Sequence, residues 1–183
     1  MGHGKLSRYL WGCKALFFLL FVPSFLGAQQ LRTGDLIFRQ GEGIFSEIAR
    51  DFSTHDKRFS HVGIVWVDAN VTWVVHALQE PDKGFDGVVK EPIEGFLHGI
   101  KSYAFYRIEG IDEAKLLAQL KAQLSQPLPF DTRFSLESSD ALYCTELVDR
   151  IFAPLGIRVP RTHRWERDFI AIEDVLRVAK PLP

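Results

Sequence analysis

The stretch that decides the fold is Phe59-Ser60-His61-Val62-Gly63-Ile64-Val65-Trp66-Val67, followed by Asp68-Ala69-Asn70 and then Val71-Thr72-Trp73-Val74-Val75-His76-Ala77-Leu78. Both runs are rich in β-branched and aromatic residues, and a short polar segment separates them. That pattern predicts a β-hairpin of residues 61–67 against 71–78. Side chains alternate along a strand, so the loop length sets which residues meet. An even loop, of two residues (Ala69-Asn70) or four, pairs Trp66 with Trp73 and Gly63 with His76. His61 and His76 then share a face as diagonal neighbours, about 7–8 Å apart at the backbone. A three-residue loop puts them on opposite faces. Facing aromatics stabilise a hairpin, so the two tryptophans favour the even loop. Gly63 then leaves space beside His76.

Working outward, Gly34-Asp35 opens a short predicted strand, residues 36–40, ended by Gly41 and Gly43. Apolar residues at helical spacing (Ile44, Phe45, Ile48, Ala49, Phe52) predict an amphipathic helix over 44–52. Residues 79–86 hold Pro, Gly and four charges and read as a loop. Strands are expected at 88–91 and 102–108, with a turn or short helix at 93–98 between them. Residues 112–124 read as a helix capped by Asp112, with Leu116, Leu117, Leu120 and Leu124 inward. After a polar loop at 130–140, helices are expected at 141–152 and 168–179. Sequential strands with short connections predict an α+β fold: an antiparallel sheet of about five strands with helices packed on it.

The first 28 residues have a different composition. Lys5, Arg8 and Lys14 are their only charges, and residues 15–22 (ALFFLLFV) are an unbroken apolar run of eight closed by Phe25-Leu26-Gly27-Ala28. A basic start, a short apolar core and a small-residue end read as a secretory signal over 1–28. The run is too short for a membrane-spanning helix, which needs about 18 apolar residues. A retained amphipathic anchor is the alternative, and the absence of a polar face argues against it. The protein is therefore expected to be exported, periplasmic or secreted, from a bacterium, with residues 29–183 as one domain. That part keeps 19 basic against 23 acidic residues, which excludes a basic nucleic-acid footprint. It also keeps a single cysteine, Cys144, which rules out an internal disulfide.

A spare thiol in an exported chain is buried and inert, paired with another molecule, or reactive. Cys144 falls near the start of its predicted helix, with Asp140 as a candidate N-cap. The partial positive charge of a helix N-terminus favours thiolate over thiol. The alternative is a small buried hydrophobe, a common fate of free cysteine. Likewise a lone histidine in an apolar strand is more often a satisfied core residue than a catalyst; two on one face weaken that reading. The constellation is then nucleophile, base and orienter. Cys144 attacks a carbonyl, His61 accepts its proton, and His76 fixes the tautomer of His61. The backbone N–H of Cys144 can donate to the oxyanion. Asp35 reads as a structural turn residue, and His55, His98 and His163 as surface residues.

Thr33-Gly34-Asp35-Leu36-Ile37-Phe38, Ser60-His61-Val62-Gly63-Ile64-Val65 and Tyr143-Cys144-Thr145-Glu146-Leu147-Val148 occur in that order. This resembles the circularly permuted papain-like hydrolases of the NlpC-type superfamily, the YiiX/YebB-like branch. The histidine strand precedes the cysteine helix, as the permuted order requires. The resemblance covers roughly residues 31–155. It implies Cys144 as nucleophile, His61 as base and His76 in the third place, where branch members often carry glutamate.

The leading reading is an exported cysteine hydrolase that cleaves an amide through a thioester and needs no cofactor. Its expected partner is a peptide or acyl-amide substrate, with membrane or cell-wall association compatible with export. The alternatives are a zinc-dependent hydrolase, with Cys144, His61 and His76 as three ligands and an open fourth position, and a non-catalytic lipid- or peptide-binding module on the same fold.

Overall fold

The computed structural model describes residue 1, residues 30–69 and residues 71–183. Residues 2–28 of the expected export segment lie outside the described residues, as does Asn70 of the hairpin loop. Strands β1 (Leu36–Gln40), β2 (His61–Asp68), β3 (Val71–Glu80), β4 (Phe85–Pro92), β5 (Ser102–Arg107) and β8 (Lys180–Pro181) form a six-stranded sheet. Its order is β4-β3-β2-β1-β5-β8, and each neighbouring pair is antiparallel. A separate two-stranded hairpin joins β6 (Thr162–Arg164) to β7 (Arg167–Phe169).

The central hairpin takes the even register. Trp66 pairs with Trp73, and Asp68 pairs with Val71. Lys90 of β4 lays its ammonium 3.8 Å from the Trp66 ring centroid and 4.7 Å from that of Trp73, a cation–π cap on the pair. Gly63 is required where it stands: a Cβ there would lie 2.3 Å from Val74 Cγ1 and 3.3 Å from His76 Cβ.

Period-two alternation divides the sheet into two faces. Leu36, Phe38, Val62, Ile64, Val75 and Ala77 point to one face. There they meet Leu116 and Leu120 of α3 (Glu113–Ser125) and Leu147, Val148 and Ile151 of α4 (Cys144–Phe152). Ile37, Val65 and Val74 point to the other face, under Phe96 of the short helix α2 (Ile93–Phe96). Asp112 caps α3, its carboxylate accepting from the Lys115 N–H at 3.1 Å.

Several expectations are corrected. Residues 79–86 are not a loop: β3 and β4 run on until Glu80 pairs with Phe85, around a single 3₁₀ turn at Pro81–Lys83. The polar residues there occupy an edge hairpin, where charge is tolerated. Residues 168–179 are not one helix. Asp168 belongs to β7, the helix α5 is only Ile172–Leu176, and the chain end adds β8 to the sheet. The antiparallel sheet of about five strands is thus present, with six. Helix α4 begins at Cys144, not at residue 141, because residues 130 and 142 form a bridge that holds the preceding backbone extended. Its N-cap is therefore Tyr143 rather than Asp140. Helix α1 (Ile44–Phe52) has its expected bounds but buries only Phe52, against Phe134 and Phe169; Ile44 and Phe45 are 68% and 51% exposed.

Candidate active site

Each candidate residue is set by the element that carries it. His61 opens β2 and His76 lies towards the far end of β3, so both sit at the same end of the hairpin on the Phe96 face. His61 Nε2 is 2.9 Å from His76 Nδ1. The two rings stand nearly perpendicular, at 81°, and both lie against the Phe96 ring. The expected juxtaposition of the histidines is thus present as a direct hydrogen bond.

The row continues. His76 Nε2 lies 2.8 Å from Glu91 Oε1, and Glu91, on β4, is buried. Sequence reasoning missed Glu91. Register places Val74 opposite Glu91, which puts the carboxylate on the histidine face beside His76. The signal was there, but reading residues 79–86 as a loop left the β3–β4 register undefined.

Cys144 is the first residue of α4, held by contacts on both sides. The Ile170 N–H donates to the Tyr143 hydroxyl at 2.9 Å, and the Thr145 hydroxyl donates to the Ile170 carbonyl at 2.7 Å. Helix α4 packs on the face opposite the histidines, so its tip reaches His61 around the end of β2 rather than across the sheet. The Cys144 sulfur lies near the Val62 N–H, next to His61. Cys144 and His61 line one cavity of about 320 Å³, together with Arg39, Phe45, Ala49, Phe130 and Phe134. That volume is at the lower end for a small-ligand pocket. His98, although exposed, is on the rim of the same cavity; His55 and His163 are exposed elsewhere.

The electrostatics correct one expectation. Burial pushes the Cys144 thiol up to about 11, against the N–H groups of Val62, Thr145 and Cys144 itself and the charge of Arg39, which favour thiolate. A helix N-terminus contributes about 0.3–1 kcal/mol, and burying an uncompensated charge costs more. Burial also holds His61 well below the usual imidazole value, with the charges of Arg39 and His76 acting in the same direction. His76 is lowered too, by burial, while the Glu91 hydrogen bond opposes that shift. At neutral pH the pair is therefore a thiol and a neutral imidazole.

Neutrality makes the row directional. A carboxylate only accepts hydrogen bonds, so His76 donates from Nε2 and accepts at Nδ1. His61 must then donate from Nε2, which leaves the Nδ1 lone pair free to accept a proton. The same geometry bears on the zinc alternative. The facing nitrogens of His61 and His76 are hydrogen-bonded to each other, and His76 Nε2 is taken by Glu91. Among the described residues no group of three or more His, Cys, Asp or Glu side chains is placed to hold a metal ion. Asp35 lies outside the cavity: it is 1% exposed and forms two 2.7 Å hydrogen bonds with Arg107.

The comparisons agree with this architecture. No curated protein matches the chain. Among solved structures it is similar to the crystal structure of metalloprotein yiiX from Escherichia coli O157:H7, with a TM-score of 0.69 and 21% identity. The match covers 85% of this chain and 98% of that one, and shows a shared fold. The family model described as permuted papain-like amidase enzyme, YaeF/YiiX, C92 family, matches residues 30–177. With its histidine strand ahead of its cysteine helix and most of its length matched, the chain belongs to this family of permuted papain-like amidases.

Proposed function

We propose that the protein is an exported cysteine amidase that acts through a thioester on a peptide or N-acyl amide. The observation that carries the reading is the row Glu91–His76–His61, which ends at the cavity that also holds the Cys144 thiol. Cys144 Sγ attacks the substrate carbonyl carbon while its proton passes to His61 Nδ1. The carbonyl π electrons move onto oxygen, where the N–H groups at the start of α4 are suited to receive the charge. As the C–N bond breaks, the imidazolium gives its proton to the departing amine. Water then attacks the thioester, His61 takes the water proton, and the carbon–sulfur bond breaks as that proton returns to sulfur. His76 and Glu91 hold His61 in the tautomer each step needs. Since thiol and imidazole are both neutral at rest, proton transfer accompanies attack rather than preceding it.

Export rests on the sequence of residues 1–28, and sequencing the N-terminus of protein recovered outside the cytoplasm tests it: an intact residue 1 overturns cleavage. For the chemistry, intact-mass analysis during turnover of an activated acyl amide should show one acyl group on the wild type and none on Cys144→Ala. Turnover without any adduct, abolished by a chelator, would replace the thioester reading with a metal-dependent one.

A further inference from the structure

The proposed relay gives no task to the arginine of the cavity. Arg39 lies on β1 directly opposite His61 in the register, and its side chain lines the cavity with His61 and Cys144. The guanidinium carbon stands 4.4 Å from the centroid of Phe96, the ring that both histidines also touch. Its Nη1 donates to the Phe96 backbone carbonyl. Its Nε is buried and has no acceptor among the described residues. Of the carboxylates nearby, Glu91 is at His76; Glu80 and Glu42 line the same cavity, Glu80 close enough to favour the charged form of Arg39 and Glu42 3.7 Å from the Lys101 ammonium. An arginine has five donors in a rigid planar fork suited to a carboxylate. Here the fork is oriented by a ring and a carbonyl, on the wall of the cavity that holds Cys144, with its Nε unmet.

We propose that Arg39 is an anion subsite, so that the amide this enzyme cleaves carries a carboxylate close to the scissile bond. The inference rests on the cysteine-amidase reading above and names the substrate class of that site. The position of Arg39 opposite the base places a bound carboxylate within the same cavity as the reacting carbonyl. Arginine therefore supplies selectivity here: a neutral amide of the same shape leaves the fork unpaired and loses affinity.

The test compares alkylation of Cys144 by iodoacetate and by iodoacetamide, which differ in one carboxylate. Relative to free cysteine, the wild type should favour iodoacetate by about tenfold or more. Arg39→Gln should lose that preference, its iodoacetate rate falling about tenfold further than its iodoacetamide rate, and Arg39→Lys should keep part of it through charge. A wild-type ratio equal to that of free cysteine overturns the subsite. So does an equal fall of both rates in Arg39→Gln, which marks a structural or oxyanion role. A second arm is independent of thiol chemistry. In Cys144→Ala, N-acetylglycine should bind about tenfold more tightly than N-acetylglycinamide, and adding Arg39→Gln should abolish the difference. Equal affinities overturn the proposal. Failure of both reagents to alkylate Cys144 counts against the nucleophile alone, and the binding arm still decides the subsite.

Discussion

Two buried acid–base contacts stand on neighbouring strands of one sheet and differ in one respect. Asp35 and Arg107 close on each other: Arg107 Nε and Nη2 each lie 2.7 Å from an Asp35 oxygen, and Asp35 also accepts from the Arg32 N–H at 2.8 Å. Their side chains are 1% and 5% exposed, and nothing of the pair faces the cavity. Glu91, His76 and His61 are equally buried at the carboxylate end but open at the other, where His61 meets the cavity. The first contact is saturated and serves folding. The second keeps one lone pair unspent, and an unspent lone pair beside a thiol is what chemistry can use. Burial of charge alone does not separate the two; the direction of the hydrogen bonds does.

The sharpest way to break this contrast is Glu91→Gln. A glutamine amide can donate to His76 Nε2, which reverses the row and places a proton on His61 Nδ1. We expect kcat to fall by roughly 10²–10⁴-fold, as for a triad held in the wrong tautomer, with the melting curve little moved. Steady-state kinetics and calorimetry on the same sample check it; full activity would show that Glu91 does not orient the row. Asp35→Asn should do the reverse. Breaking a buried ion pair costs about 3–5 kcal/mol, measurable as a lower urea midpoint, while kcat per folded molecule stays near wild type. If Asp35→Asn instead lost turnover without losing stability, the division of roles proposed here would fail.

Gly63→Ala probes the register that brings the histidines together. Its methyl would collide with Val74 Cγ1, and overpacking of this kind costs about 1–3 kcal/mol. Because His76 Cβ is 3.3 Å from the same position, activity should fall further than stability explains. A fully active, fully stable Gly63→Ala would mean that the hairpin has room to spare. The smallest expected effect is on pH dependence. His61 and His76 both titrate below their usual value when folded, so below about pH 6.5 the unfolded chain binds protons that the folded one refuses. Stability is therefore full above that pH and declines as pH falls towards the folded values. Each histidine contributes up to about 1.4 kcal/mol per pH unit. His61→Gln should remove its share of the slope in urea titrations between pH 7 and 5; an unchanged slope would show that His61 is not held neutral.

Much of this architecture is readable in the sequence. The Trp66–Trp73 pair and Gly63 were enough to fix the hairpin register, because alternation leaves only two choices and facing aromatics select one. Cys144 stands out as the one thiol that remains beyond the expected export segment. Glu91 and Arg39 were not found. Arg39 carried a signal, a charge at an inward position of the apolar run Leu36–Gln40, whose meaning depends on what covers that face. The signal of Glu91, its place opposite Val74, can be read only once β4 has a register, since a glutamate before a proline at a strand end is commonly solvent-exposed. The start of α4 was misplaced by three residues because the bridge between Phe130 and Leu142 is a long-range contact with no local pattern.

By itself the sequence determined the central hairpin and the order of histidine and cysteine, because periodicity and residue chemistry act over a few neighbouring positions. Only the tertiary structure decided that His61 is the open end of a row anchored by Glu91, that α4 reaches it around the strand end, and that the thiol is protonated at rest. Hydrogen-bond direction and desolvation depend on what packs beside a group from distant parts of the chain, and local sequence does not encode that.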